Sequence, residues 1–457
     1  MDQAPESARI LYCGDNLHIL QTHLAAESID LIYLDPPFYS QRNYQAFLKQ
    51  VAPALPASSK APAFADTWHW RPEAEQAYAI LLGGAPVELG KALSILRDLV
   101  GPGSLLAYLV MMGERLVQLH RVLKPTGSLY LHCDSAASHY LKLLLDAIFG
   151  VENFRNEIVW FYKTGGASQR HFARKHDLIF FYSKSPHYIF HAQKEKSYMM
   201  HRYGFKKSEF LRDERGNYTW VYMKDVWDLP AIGAADKQRL GYPTQKPEAL
   251  LERIIQASSD EGGIVLDPFC GSGTSLVVAQ RLGRGWIGIE NHYLGIAYQR
   301  YRLARSFPDL CYTCVGGPTT IEEARQLAST DAAQFRWWAL SLIGARPVGW
   351  EEDTRGKQHL GGIHGIVPAR ERGQADQFVL VLSSKPERQV FRHFSELIKE
   401  DGMRAGLVIT LDPLPQDTQE LLIMGVSPPG ASLPPGVFAS ISIAELLHQR
   451  GKAPDSE

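Results

Sequence analysis

Two short runs hold most of the chemistry this chain could perform. The run Leu34-Asp35-Pro36-Pro37-Phe38-Tyr39 sets a carboxylate, a proline carbonyl and an aromatic ring together at the end of an apolar stretch. Consecutive prolines make a rigid turn poor in hydrogen-bond donors, which leaves the Asp35 carboxylate and the Pro36 carbonyl as acceptors. Two acceptors beside the ring of Phe38 suit an exocyclic amine on a stacked base. Taken alone, the run reads more readily as a strand-ending turn in which Asp35 caps nearby amides, and the chemical reading prevails because a second run accompanies it. The second run, Asp267-Pro-Phe269-Cys-Gly271-Ser272-Gly273-Thr274, lies between an apolar strand and a helix. Glycines there let the backbone approach a ligand closely, and a helix N-terminus favours negative charge. Glu290 follows about 20 residues on, where nucleotide-binding sheets place the acid that takes ribose hydroxyls. The loop is neither G-x-G-x-x-G nor a P-loop, because no lysine follows its glycines. Cys270 reads as a small buried filler, and Cys311-x-x-Cys314 lacks the second pair or histidine cluster that zinc needs, so no metal site is expected.

The two runs can meet only at the edge of a parallel sheet. Ile10–Cys13, Asp30–Leu34, Ser128–His132, Ile264–Leu266 and Trp286–Ile289 read as short buried strands. Helices are predicted between them. One runs from Asn16 to about Leu20. One carries Leu109, Met112, Leu116, Leu119 and Leu123 at helical spacing and is closed by Pro125 and Gly127. Others cover His139–Phe149 and Ser275–Leu282, and one opens at Pro247 with Leu250, Leu251, Ile254 and Ile255 on one face. Alternating strands and helices predict an α/β fold with a parallel sheet. Residues 39–103 are rich in Ala, Pro and Gly and read as mobile loops. The expected organisation is 1–154 for the half carrying Asp35, 155–240 for a recognition region, 241–318 for the glycine-loop half, and 319–457 for a separate unit. That last unit is expected to hold a helix Ile321–Ile343 and a strand near Phe378–Leu382.

The composition of the 457 residues, 45% hydrophobic and 21% charged, excludes wholesale disorder. Net charge is −1, so a nucleic-acid surface has to be local. Residues 155–215 supply one, with 13 Lys/Arg against 6 Asp/Glu and with Trp160, Tyr162, Phe172, Phe181, Tyr188, Tyr198, Tyr203 and Phe205 interleaved. Cations there would neutralise phosphates while other side chains read base edges. The chain has no apolar run long enough to span a bilayer, no charged-then-apolar leader, and five cysteines without a disulfide framework. These features predict a soluble cytoplasmic protein with no membrane partner.

Together the runs resemble the amino-DNA methyltransferases, which methylate adenine N6 or cytosine N4 with S-adenosyl-L-methionine. Asp35-Pro36-Pro37-Phe38 matches the family's catalytic D/N/S-P-P-Y/F/W tetrad, and Asp267–Thr274 matches its cofactor loop. The tetrad precedes the loop and the basic stretch lies between, an order that resembles the β class with its circularly permuted Rossmann-like sheet. Gly14-Asp15 resembles the acidic strand end beside the cofactor adenine. Tyr242-Pro-Thr244-Gln-Lys246-Pro247 resembles the segment at the cofactor's methionine end, and Lys175-His176-Asp177 resembles an element that precedes a strand in this class. The resemblance covers about residues 8 to 305.

The resemblance implies catalytic roles for Asp35, Pro36, Pro37 and Phe38. It implies cofactor contacts for Asp15, Thr244, Lys246, Asp267, Phe269, Gly271, Ser272, Gly273, Thr274 and Glu290. Tyr39, Arg42, Lys163, Arg170, Arg174 and Lys175 are expected on double-stranded DNA. The target base would be flipped out and stacked on Phe38, with Tyr39 the second choice. Trp68, in the run Phe64-Ala-Asp66-Thr-Trp68, is expected on a loop closing over DNA. An Asp at position 35 leans toward adenine N6, because N4 enzymes more often carry Ser there. Cytosine N4 is the alternative, and a catalytically inactive DNA-binding module a further one. Cytosine C5 chemistry would need a Pro-Cys dipeptide, which the sequence lacks. A homodimer and a cognate restriction endonuclease or defence partner are also expected.

Beyond residue 318, the runs Gln334–Leu340, Gly344–Gly349, Gly362-Ile-His364-Gly365 and Val379-Leu-Val-Leu-Ser383-Ser-Lys385 resemble an extension fused to some bacterial DNA methylases, with a restriction-endonuclease-like fold. Such nucleases hold Mg²⁺ with an Asp where His364 stands and a second carboxylate where Ser383 stands. Without both carboxylates, Mg²⁺ loses its preferred oxygen ligands. The resemblance therefore implies an accessory module without cleavage activity, used for DNA contact or partner docking.

Overall fold

The strands Ile29–Leu34 and Gly285–Glu290 are buried at every position, as parallel strands covered by helices on both faces must be. The computed structural model describes residues 8–39, 68–84, 86–163, 168–198, 210–348, 363–369, 376–383, 405–414 and 438–450, with a few positions between 390 and 398. Its main sheet has nine strands, in the order Thr313–Val315, Arg9–Cys13, Gly285–Glu290, Ile264–Asp267, Ile29–Leu34, Leu123–Cys133, His176–Ser183, Phe154–Phe161, Val226–Asp228. The first six are parallel. His176–Ser183 runs antiparallel to both its neighbours. The result is a Rossmann-like α/β sheet. Strands late in the chain lie between the first two, which is the permuted arrangement.

That order places a switch point at the centre. From Ile264–Asp267 the chain moves to Gly285–Glu290 on one side, and from Ile29–Leu34 it moves to Leu123–Cys133 on the other. Leu266 pairs with Ile32 across the junction, so Asp267 and Asp35 leave the sheet side by side. Open α/β sheets bind ligands at such a crevice.

The predicted helix faces pack as their spacing requires. Glu248–Ser258 buries Leu250, Leu251, Ile254 and Ile255, and Ser138–Phe149 buries Leu141, Leu144, Leu145 and Ile148. Three readings need correction. Residues 39–103 are not all loop: Pro72–Gly84 and Val87–Val100 are helices, the second burying Leu89, Leu93 and Leu96. Their Ala and Gly content hid a regular apolar stripe that seats on the 104–122 helix. Residues 40–67 lie outside the described residues. The helix Ser104–Val122 stops before Leu123, which instead begins a strand, with a register irregularity opposite Ile29–Leu31. The helix expected over Ile321–Ile343 is broken at Asp331, whose carboxylate accepts from Ala333 N and Gln334 N and so caps a new helix, Ala332–Leu342.

The basic segment opens inside the sheet. Trp160 and Phe181, read as part of a DNA face, are buried there, and Phe181 stacks on Tyr130 with ring centroids 4.4 Å apart. A smaller sheet follows, from Lys194–Ser197, Gly216–Tyr222 and Leu211–Asp213. The C-terminal unit is a five-stranded sheet ordered Arg346–Pro347, Gly365–Val367, Gln377–Leu382, Ala405–Thr410, Phe438–Ser442. Phe335 and Trp338 from the preceding helix pack on Val379, Val381 and Ile409 of that sheet. Among the described residues, no helix is long and apolar enough to cross a membrane.

Candidate active site

The switch point opens into a cavity of about 430 Å³ lined by both chemistry-bearing runs, Asp35–Phe38 from one strand end and Asp267–Ser272 from its neighbour. Gly14–Asn16, Trp68, Arg115, Tyr242, Thr244–Lys246 and Glu290–His292 are among the other residues of the wall. The volume suits a small molecule rather than a macromolecule.

The glycine loop is shaped by backbone that only glycine adopts easily. Gly271 and Gly273 have φ of 46° and 73°, and a Cβ on Gly273 would lie 2.7 Å from Gln299 Cγ. Gly273 is therefore a shaping residue and does not line the cavity. Asp267 accepts hydrogen bonds from Ser275 Oγ (2.5 Å) and Phe269 N (3.1 Å), and burial pushes its carboxyl up to about 7. Glu290 accepts from Gly271 N (2.9 Å) and His292 N (3.0 Å), and burial likewise pushes it up to about 7. Both carboxylates keep lone pairs for hydroxyl donors. Cys270 is buried, its thiol donating to Ile289 O at 3.2 Å, and burial raises its pKa well above the ordinary value, the opposite of nucleophile activation.

On the opposite wall, Asp35 is divided. Its Oδ2 accepts from Lys246 Nζ, while Oδ1 is buried and has no hydrogen-bond partner among the described residues. A buried acceptor without a donor is costly unless a ligand supplies one. Thr244, two residues before the lysine, has φ of 60°, a conformation rarely held outside a constrained site. Phe38 lies with its ring centroid 5.3 Å from Lys246 Nζ and 5.8 Å from the His132 ring.

Sequence reasoning missed the layer behind these groups. His132 is fully buried, its Nδ1 3.0 Å from Tyr33 Oη and its Nε2 3.3 Å from Asp177. Tyr162 Oη also donates to Asp177, at 3.1 Å. Burial of Asp177 is outweighed by its hydrogen bond with His132 and by the charges of His132 and Lys246, which together hold its carboxyl below the ordinary value. Arg115 was missed as well. It donates to Asn16 Oδ1 (2.7 Å) and Asp15 Oδ2 (3.0 Å), while Asn16 Nδ2 donates to Pro268 O at 2.8 Å. A cation on an otherwise apolar helix face was the available signal. Asp15 also caps the first helix through His18 N.

The expected DNA contacts do not gather in the cavity. Tyr39 packs on Tyr108, ring centroids 5.9 Å apart, and its Oη lies 2.6 Å from Ser104 Oγ. Trp68 packs on the same tyrosine and does line the cavity. Lys163 pairs with Asp228 on the surface. Arg170, Arg174 and Lys175 belong to an exposed or half-exposed segment that leads into the strand bearing Asp177, and Phe172 within it is 97% exposed. Arg42, Phe64–Thr67, Tyr203 and Phe205 lie outside the described residues.

In the C-terminal unit, His364 is 2.9 Å from Val381 N, whose hydrogen bond its Nδ1 accepts, and its Nε2 is 3.4 Å from Arg336. Burial and the Arg336 charge push the imidazole down to about 3, so it is neutral. Among the described residues, no cluster of three His, Cys, Asp or Glu is placed to hold a metal. Lys385 lies outside those residues.

Residues 29–299 match the model of a family described as DNA methylase. The chain is 32% identical over 228 residues to the type II methyltransferase M.HpaI of Haemophilus parainfluenzae, covering 50% of this chain and 68% of that protein. It is 28% identical over 309 residues to the DNA adenine methyltransferase YhdJ of Escherichia coli K12, covering 66% and 85%. The solved structure of a putative DNA modification methylase from Thermus thermophilus, complexed with S-adenosyl-L-methionine, aligns over 68% of this chain and 100% of its own at 18% identity and a TM-score of 0.40.

Proposed function

This chain belongs to the DNA methylase family, and on that premise we propose that it transfers a methyl group from S-adenosyl-L-methionine to adenine N6 of a flipped base at a specific site in double-stranded DNA. One observation carries the reading: the partnerless Asp35 Oδ1 and the glycine loop at Gly271 line the same cavity. The adenine N6 lone pair is delocalised into the ring and is a poor nucleophile. If Asp35 Oδ1 and the Pro36 carbonyl each accept one N–H, the nitrogen is drawn toward tetrahedral geometry and its lone pair is freed. Phe38 stacks on the base, and such stacking contributes on the order of 1–3 kcal/mol. Preorganised acceptors and positioning supply most of the acceleration. His132 and Asp177 brace the wall behind Phe38.

The residues present fit the donor. Glu290 would accept the ribose hydroxyls, Asp15 and Phe269 would flank the adenine, and Gly271, Ser272 and Thr274 with Asp267 and Thr244, all on the cavity wall, would cradle the remainder. When bound, S-adenosyl-L-methionine would supply an electrophilic methyl group; as the new C–N bond forms the C–S bond breaks to leave S-adenosylhomocysteine, and the amine's proton would pass to Asp35 or to water. Asp at position 35 and the adenine methyltransferase relative favour N6 over cytosine N4. Arg170, Arg174 and Lys175 would hold the phosphates beside the cavity. A homodimer and a cognate restriction endonuclease are proposals on the same footing.

Incubating the protein with radiolabelled S-adenosyl-L-methionine and mixed-sequence DNA, then digesting the DNA to nucleosides, tests this. The expected product is N6-methyladenine, strongly reduced with Asp35→Ala. N4-methylcytosine would replace the adenine reading, and no transfer to any DNA would favour a binding module.

A further inference from the structure

Lys246 stands in a segment that the sequence assigns to the cofactor, yet its side chain is committed elsewhere. Its Nζ donates to Asp35 Oδ2, the two side chains being only 10% and 15% exposed. The contact is held from both ends. Thr274 Oγ1 donates to the Lys246 carbonyl at 3.2 Å, Thr244 fixes the approach with a left-handed φ, and the Phe38 ring lies beside the ammonium. The lysine bridges 211 positions of sequence to reach this one carboxylate.

Besides the exposed Asp15, three carboxylates surround the cavity, and they are treated differently. Asp267 and Glu290 are held by hydroxyl and backbone N–H donors with no cation on them among the described residues, and burial pushes both up to about 7. A carboxyl that takes a proton becomes a donor at that oxygen. That would ruin the acceptor required beside an exocyclic amine. Of the three, only Asp35 has an ammonium in contact among the described residues, on Oδ2, while its Oδ1 has no hydrogen-bond partner there.

We propose that Lys246 is a positioning residue for the target amine: it is the dedicated ion-pair partner of Asp35, holding that side chain with Oδ2 occupied and Oδ1 left to accept from the base. This rests on the proposed methyl transfer. Lys246 acts through Asp35 and leaves cofactor affinity to the glycine loop and Glu290. Breaking a buried ion pair from one side strands the remaining charge, whereas removing both charges does not.

Four measurements on the full chain test this. Lys246→Met should lower kcat roughly tenfold or more while the Kd for S-adenosylhomocysteine, measured by calorimetry, stays within about twofold. Lys246→Arg should restore most of kcat, because it keeps a cation for Oδ2. Thermal unfolding should show Lys246→Met melting below the wild type and Asp35→Asn/Lys246→Met melting above Lys246→Met. A tenfold or greater loss of S-adenosylhomocysteine affinity in Lys246→Met with kcat retained would return the lysine to the cofactor and overturn the proposal. So would a double variant that melts no higher than Lys246→Met. The melting comparison needs no turnover, so it stands apart from the methyl-transfer reading, which fails separately if the wild type labels no DNA.

Discussion

The chain carries two sheets, and among the described residues only one of them gathers carboxylates around a cavity at its strand ends. At the switch point of the nine-stranded sheet, Asp35, Asp267 and Glu290 surround one cavity, with their backbone positions fixed by prolines and left-handed glycines. In the five-stranded C-terminal sheet, the corresponding strand ends carry His364 and Ser383. His364 is spent on a backbone amide of the next strand and lies against Arg336. Both sheets have well-packed cores, the second built on Phe335, Trp338 and Val379. A fold is held by its buried apolar faces, whereas its chemistry resides in a few terminal residues that can be exchanged without loss of the scaffold.

The contrast can be broken at its strongest point first. Asp35→Ala should reduce methyl transfer about 10²–10³-fold, the usual cost of deleting a preorganised group that acts on the reacting atom, while circular dichroism stays native. A variant retaining a third of wild-type activity would remove Asp35 from the chemistry.

A smaller effect concerns pH. Burial raises Glu290 from 4.5 to about 7. Below 4.5 both folded and unfolded chains hold the proton. As pH climbs toward 7 the unfolded chain ionises first, so this group's contribution to stability is lost across that window. Hydroxyl donors favour the ionised form, so affinity for S-adenosylhomocysteine should rise with pH and level off above about 7. Glu290→Gln should weaken binding roughly tenfold, the scale of one charge-assisted hydrogen bond, and flatten the profile. Calorimetry at several pH values checks both. An unchanged pH dependence in Glu290→Gln would assign the titration to another group, with Asp267 next in line.

The smallest expected effect is none. Adding Mg²⁺ or Mn²⁺ to the full chain with plasmid DNA should produce no cleavage, because His364 and Ser383 stand where the resemblance to nucleases implies the carboxylates a hard cation prefers. Magnesium-dependent nicking that disappears in Lys385→Ala would erase the contrast between the two sheets.

Much of the site was legible from residues alone. Asp35-Pro36-Pro37-Phe38 and the 267–274 loop declare themselves through residue types that only a turn at a strand end tolerates. Glu290 follows from its distance to that loop, and the apolar stripe of the 248–258 helix follows from its spacing. Local signals failed where packing decided. The helices over 72–100 carry too much Ala and Gly to advertise a face, yet the surface of the 104–122 helix selects one. Trp160 and Phe181 sit in a basic segment and read as DNA-facing, but the 176–183 strand pairs with Leu123–Cys133 and the 154–161 strand pairs with 176–183, and both rings are buried.

The sequence by itself determined the kind of fold, the two motif runs at Asp35 and Asp267, and the presence of His364 and Ser383 in the C-terminal unit, because each depends on residue identity within a few positions. Only the tertiary structure decided that Lys246 faces Asp35, that His132 lies behind Phe38 tied to Tyr33 and Asp177, and that Arg115 joins Asp15 to Asn16. Those partners are separated by 45 to 211 positions. Their meeting is fixed by strand order and helix packing, which no local spacing encodes.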